Sequence, residues 1–212
     1  MGRKLRCVLI FLIILKEPNM PEACRCAPSS ACKCPKQGLT SIPQNLPTSI
    51  TTLDLSRNKL TSIKAVTFAS VPRLQTLYLA YNKITVIQRG AFANLHQLQT
   101  LALHYNQLTE IRAGLFANMS KLQELVVTYN QITMIQPGTF VNLHQLKSLF
   151  LSNNKIAMIQ HGTFVNLTRL QQFYLSFNQI TMIQSAGIVL IVTIILTVWY
   201  KRKIICYCND QW

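Results

Sequence analysis

The residues in this chain best equipped for chemistry are its cysteines. Four of the seven stand close together as two C-x-C pairs, Cys24/Cys26 and Cys32/Cys34. Four cysteines can close two disulfides in three possible pairings, or gather as thiolates around a zinc ion. Disulfides are the expected state if the chain reaches an oxidising compartment. Two further cysteines, Cys206 and Cys208, stand just after Lys201-Arg202-Lys203 and suit reversible S-palmitoylation, with free thiols as the alternative. Acid–base chemistry has little to work with. Asp54, Glu110 and Glu124 are scattered and form no catalytic pair, and neither a nucleophile motif nor a glycine-rich phosphate loop is present. No catalytic residue, cofactor or metal is expected, so the chain is not read as an enzyme. Asn118-Met119-Ser120 and Asn166-Leu167-Thr168 are N-glycosylation sequons.

Composition narrows the classes further. Half of the 212 residues are apolar and 13% are charged, which excludes a disordered chain. Lys and Arg number 21 against six Asp and Glu, a formal net charge of +15. From Cys24 to Gln184 there are 14 basic and three acidic residues, an excess of 11 that is spread evenly. An even spread fits a basic surface better than a DNA-reading arm, and no nucleic-acid partner is expected.

The two ends point to a membrane. Arg3, Lys4 and Arg6 precede the apolar run Cys7–Leu15. As a helix that run would rise about 14 Å, far short of a ~30 Å hydrocarbon core. A basic start and a short apolar stretch read as a secretory signal peptide cut between Lys16 and Cys24, the alternative being a buried N-terminal helix. Arg6 occupies the place where a myristoylation motif needs Ser or Thr. The second run, Ala186–Tyr200, carries no charge and closes with Trp199 and Tyr200 before the basic cluster. It would span about 22 Å, and extension back to Ile180 or forward to Cys206 gives enough length. Basic residues stay cytoplasmic, so the N-terminus is expected outside the cell. A buried core segment is the alternative. A GPI signal is disfavoured because its hydrophobic tail should end the chain.

Between the ends the sequence repeats. Six segments align without a gap at a period of 24, beginning at Ile50, Leu74, Leu98, Leu122, Leu146 and Leu170. The fifth carries Leu146, Leu149, Leu151, Asn154, Ile156, Ile159, Phe164 and Leu167. Leucines at the first, fourth and sixth places send alternate side chains of a short strand into a core. The asparagine column runs Asn58, Asn82, Asn106, Asn130, Asn154, Asn178, and its amides can satisfy buried backbone groups of adjacent coils. The phenylalanine column, Phe68, Phe92, Phe116, Phe140, Phe164, would fill the opposite side with stacked rings. One coil cannot bury its own faces, so stacking must make the core. His96 and His144 recur two coils apart, about 10 Å, too far to share a metal.

This pattern resembles the extracellular leucine-rich repeat family with 24-residue repeats. The resemblance implies an α/β-type solenoid: a right-handed curved horseshoe with a parallel sheet on its concave face and an irregular or 3-10 convex side, here with one transmembrane helix added. The segment from Cys24 to Pro47 is similar to the family's cysteine-rich N-terminal cap, with Met20-Pro21 where the family opens Cys-Pro. The resemblance implies that Cys24 pairs with Cys34, leaving Cys26 to take Cys32. The expected organisation is a signal peptide (1–23), cap (24–49), six repeats (50–184), transmembrane helix (185–203) and short cytoplasmic tail (204–212). No cysteine cap follows the last repeat, so Phe173, Leu175 and Ile180 are expected to be exposed or shielded by another surface.

In this family the outward strand positions form the usual ligand face. Here those columns read Asp54, Tyr78, Ala102, Val126, Phe150, Tyr174; Ser56, Ala80, His104, Thr128, Ser152, Ser176; and Arg57, Tyr81, Tyr105, Tyr129, Asn153, Phe177. Tyr78, Tyr81, His104, Tyr105, Val126, Tyr129, Phe150 and Tyr174 are the expected ligand-binding residues. The alternative is that aromatics beside the asparagines pack on the next coil. The resemblance extends to repeat receptors of innate immunity and neuronal adhesion. It implies a single-pass plasma-membrane receptor or adhesion protein that binds an extracellular protein or glycan. A signalling co-receptor or homodimer could meet it at the open last repeat. An accessory or decoy subunit, or a secreted matrix module binding anionic glycans, are the other readings.

Overall fold

The computed structural model describes residues 24–26 and 30–184. The apolar runs Cys7–Leu15 and Ala186–Tyr200, and with them Cys206 and Cys208, lie outside the described residues. No helix among the described residues is long and apolar enough to cross a membrane.

Among the described residues fourteen short strands carry the fold. β1 (Arg25–Cys26) and β2 (Ala31–Lys33) form an antiparallel pair in the cap. β2 then pairs in parallel with β3 (Thr52–Asp54), followed by β5 (Thr76–Tyr78), β7 (Thr100–Ala102), β9 (Glu124–Val126), β11 (Ser148–Phe150) and β13 (Gln172–Tyr174), giving an eight-stranded sheet. The register never slips: Leu53, Leu77, Leu101, Leu125, Leu149 and Phe173 align in one column. All six are buried, because a period-two side-chain pattern turns the middle residue of each strand inward.

Two ladders tie coil to coil. In each repeat the column asparagine donates from Nδ2 to backbone carbonyls of its own and the preceding coil. Its Oδ1 accepts a backbone N–H from the preceding coil. Asn106 thus holds the Leu79 and Leu103 carbonyls and the Ile84 N–H, each at 3.0 Å. On the opposite side the phenylalanines stack near-parallel, with centroids 5.9 Å apart for Phe68–Phe92, 6.1 Å for Phe116–Phe140 and 5.6 Å for Phe140–Phe164. Phe173 turns its ring onto Phe164 at 5.1 Å.

Two expectations change. The described residues contain no helix, so the α half of the α/β description does not apply to them. The segments between strands make isolated i→i+3 bonds such as Ala69 N–H to Val66 and Val71 N–H to Phe68. A residue with positive φ opens the turns in each of the first five segments (Val66, then Gly90, Gly114, Gly138, Gly162). Phe173 is buried, shielded by its own array through Phe164. Leu175 and Ile180 are half-buried, and Ile183 is 37% exposed, whereas Ile159 one coil earlier is covered.

A second set of strands lies past the asparagine turn: β4 (Ser62–Ile63), β6 (Val86–Ile87), β8 (Glu110–Ile111), β10 (Met134–Ile135), β12 (Met158–Ile159) and β14 (Met182–Ile183). They pair only two by two, β4 with β6, β8 with β10, β12 with β14. Beside each pair a glutamine of the later coil accepts a backbone N–H from the earlier one: Gln88 from Ala65, Gln136 from Ala113, Gln184 from His161. At the first unpaired seam Arg112 takes the glutamine's place and turns to Glu110 instead. At the second, Gln160 faces Pro137, which has no N–H to give. A crevice of about 40 Å³ opens at the first seam, lined by Val86, Glu110, Arg112 and Leu115.

Candidate functional site

The cap is closed by Cys24–Cys34 and Cys26–Cys32 disulfides. Both bonds lock β1 against β2, and β2 is the strand on which the first leucine coil pairs. Among the described residues no group of histidines, cysteines and carboxylates could hold a metal ion.

Beyond each strand, the residue before the asparagine adopts a left-handed backbone: Tyr81 at φ 55°, Tyr105 at 54°, Tyr129 at 55°. This conformation costs energy for residues other than glycine, and here each N–H is bonded across to the next coil. Tyr81 donates to His104, Tyr105 to Thr128 and Tyr129 to Ser152, at 3.0–3.2 Å. The left-handed turn swings the side chains outward in register. Tyr81 and Tyr105 stack with centroids 4.5 Å apart, and Tyr105 and Tyr129 at 4.3 Å, with planes 10° and 7° from parallel. The Arg57 guanidinium covers the free face of Tyr81 at 4.5 Å. His104 meets Tyr81 and Tyr105 edge-on. Its Nδ1 is buried with no hydrogen-bond partner among the described residues, and burial holds its imidazole below the ordinary histidine range. Desolvation and the neighbouring Tyr129 hydroxyl push the Tyr105 phenol upward.

Four of the eight sequence-derived residues, Tyr81, His104, Tyr105 and Tyr129, therefore form one cluster. Phe150 and Tyr174 form a second, stacked at 5.0 Å. Tyr78 and Val126 sit in the same column as Phe150, with Ala102 between them as a shallow step. The aromatics beside the asparagines both pack on the neighbouring coil and remain solvent-accessible, with Tyr129 46% exposed. Asn118 and Asn166 are exposed in the turns after the phenylalanines, away from the long sheet. Asn118 Nδ2 donates to the Ala93 carbonyl of the preceding coil.

The column legible in the sequence begins at Arg57, and cations of the cap continue it. Lys36 in the cap has φ 58° and donates its N–H to Ser56, so it stands one coil before Arg57 in the same file. Lys33 lies opposite Asp54 in register. The cap strand is offset from β3 by 21 residues, so a search at the 24-residue period could not reach it. The C-x-C alternation, read as a strand, was the available signal.

The leucine-rich repeat family model matches residues 48–108, 96–156 and 145–189, and the chain belongs to that family. Many solved chains share its fold. One is the TLR13 chain in the TLR13–ssRNA13 complex, with a TM-score of 0.65, 25% identity and 76% of this chain covered. This chain spans only 25% of the length of that one. No curated protein sequence matches significantly. The family fold is a non-enzymatic ligand-binding scaffold. The expectation of no nucleic-acid partner finds no support in a neighbour crystallised with ssRNA.

Proposed function

We propose that the chain is a recognition protein that binds an extracellular protein or glycan on the strand-lined face of a curved solenoid, and that it serves innate immunity or adhesion at the plasma membrane. The exposed Arg57–Tyr81–Tyr105–Tyr129 stack carries this reading. Tyr and Arg are the residues most enriched where protein surfaces gain binding energy. Holding them in left-handed backbone costs stability, and their rings fill no core. The apolar run Ala186–Tyr200 with its basic flank supports a single membrane span with the repeats outside. The sequons at Asn118 and Asn166 would carry glycans that leave the strand-lined face clear. A TLR13 chain solved with ssRNA supports recognition as the use of this fold.

The test is binding by the full chain on intact cells. Tyr81→Ala, Tyr105→Ala and Tyr129→Ala are screened against candidate extracellular proteins, glycans and ssRNA, with surface labelling to report topology. Unchanged binding in all three would remove this face from consideration. A glycan-binding matrix module is the second reading, favoured by the excess of 11 basic residues between Cys24 and Gln184. Heparin retention that collapses with salt, together with release from cells without detergent, would select it. An accessory subunit acting through the half-covered last coil would show itself by binding a co-receptor independently of the tyrosines.

A further inference from the structure

The face also narrows its own ligand class. The rings of Tyr81, Tyr105 and Tyr129 lie 4.3–4.5 Å apart and nearly parallel, so their inner faces cover one another. The Arg57 guanidinium covers the outer face of Tyr81. Phe150 and Tyr174 cover each other in the same way. Nucleobases bind aromatic platforms face to face, and between the stacked rings no face is left for them, so that only the end faces of Tyr129, Phe150 and Tyr174 are uncovered by another ring. The ladder offers a strip of ring edges and hydroxyls instead, which suits the hydrogen-bonding groups and aliphatic side chains of a protein.

Charge sets the orientation. Lys36 and Arg57 continue the tyrosine file toward the cap. Lys59 and Lys83 stand two places further along their own coils, exposed. None of these four is in an ion pair, since the one salt bridge among the described residues joins Glu110 and Arg112. Nearby, Asp54 accepts the Ser56 N–H and sets one negative charge against these four cations. The file therefore passes from a net-positive end to uncharged tyrosine edges, ending in Asn153 and Phe177.

Building on the recognition reading above, we propose that this face takes a protein segment with a carboxylate-rich end. The acidic end seats on Lys36, Arg57, Lys59 and Lys83, and the following uncharged stretch lies along the edges of Tyr81, Tyr105 and Tyr129. Polyanions such as heparin or single-stranded RNA meet the cations alone.

The experiment uses the full chain in detergent micelles. Three probes are compared: a set of acidic peptides varied in aliphatic content, a heparin oligosaccharide and an oligouridylate. The variants are Lys36→Glu with Arg57→Glu, the triple Tyr81→Ala/Tyr105→Ala/Tyr129→Ala, and Tyr105→Phe, which keeps the stack and removes one hydroxyl. Thermal melts confirm folding, and Tyr105→Phe provides a readout where the triple variant melts early. The proposal expects peptide affinity to fall about tenfold or more in both the charge and triple variants, with a smaller fall in Tyr105→Phe. It expects the heparin and RNA probes to weaken in the charge variant only. If the tyrosine variants weaken the oligouridylate or the oligosaccharide and spare the peptides, the protein class is wrong while the face stands. If no probe responds to any variant, the recognition reading of the face fails with it.

Discussion

Gln136 accepts the backbone N–H of Ala113 at 3.0 Å, and directly beside this bond β8 and β10 pair. The same conjunction recurs with Gln88 and Gln184, and pairing is missing at the two seams where the bond cannot form. The glutamine acceptor and the pairing of the second set of strands thus occur together, coil by coil.

The seams should close on demand. Arg112→Gln gives the Arg89 N–H an acceptor, and Pro137→Ala gives Gln160 a donor. Each should add about 0.5–1.5 kcal/mol, the usual net value of a hydrogen bond. The Glu110–Arg112 pair lost in the first is exposed and worth little. Amide hydrogen exchange should slow in β6 and β8 for the first variant and in β10 and β12 for the second. Unchanged exchange would separate the glutamine bond from strand pairing.

Val66 should be a stability defect. It holds φ 52° where the next four coils place glycine at 77–79°. A β-branched residue in that region clashes through its Cβ. Its side chain is 64% exposed, so little packing is lost on removal. Val66→Gly should gain about 0.5–1 kcal/mol once glycine's extra chain entropy is subtracted, seen as a midpoint raised by a few degrees in a thermal melt.

Asn106→Ala should be severe. It removes the acceptor for the Ile84 N–H and the donor to the Leu79 and Leu103 carbonyls in a buried turn. A loss of about 3 kcal/mol in urea unfolding is expected from the unsatisfied groups. Asn106→Asp should do no better, because it keeps the acceptor and turns a carboxylate toward two carbonyl oxygens. Mild behaviour in the aspartate variant would show that the donated bonds matter less than this account holds.

Acid should weaken the fold through His104. Its unfolded value is near 6.5 and burial lowers the folded one, so between the two the unfolded chain binds more protons. The stability contributed is complete above 6.5 and lost as pH falls through the folded value. Thermal midpoints of the parent should fall below pH 6.5 more steeply than those of His104→Phe. Parallel curves would place the acid sensitivity elsewhere.

The repeats were legible because each leucine, asparagine and phenylalanine does the same job in every coil, so periodicity and burial coincide. The burial of Phe173 was not legible, since the ring that covers it, Phe164, belongs to a different column. Nor were the seams, which arise from single departures, Arg112 and Pro137, in a column whose purpose appears only when two coils lie side by side. The ring stack at Tyr81, Tyr105 and Tyr129 was foreseeable as a file. Its blocked faces followed only from the left-handed backbone and the measured spacing.

The unequal zipping of the two strand sets has a mechanical meaning. The eight-stranded sheet is one continuous strip, while the layer beside it comes in plates of two coils. A beam built this way resists stretching along the strip and bends by parting its plates. The tyrosine file would then tilt in blocks, with the joint between the second and third coils falling between Tyr81 and Tyr105. A ligand that reaches across that joint would join the first four coils into one plate, not just stiffen the patch it touches.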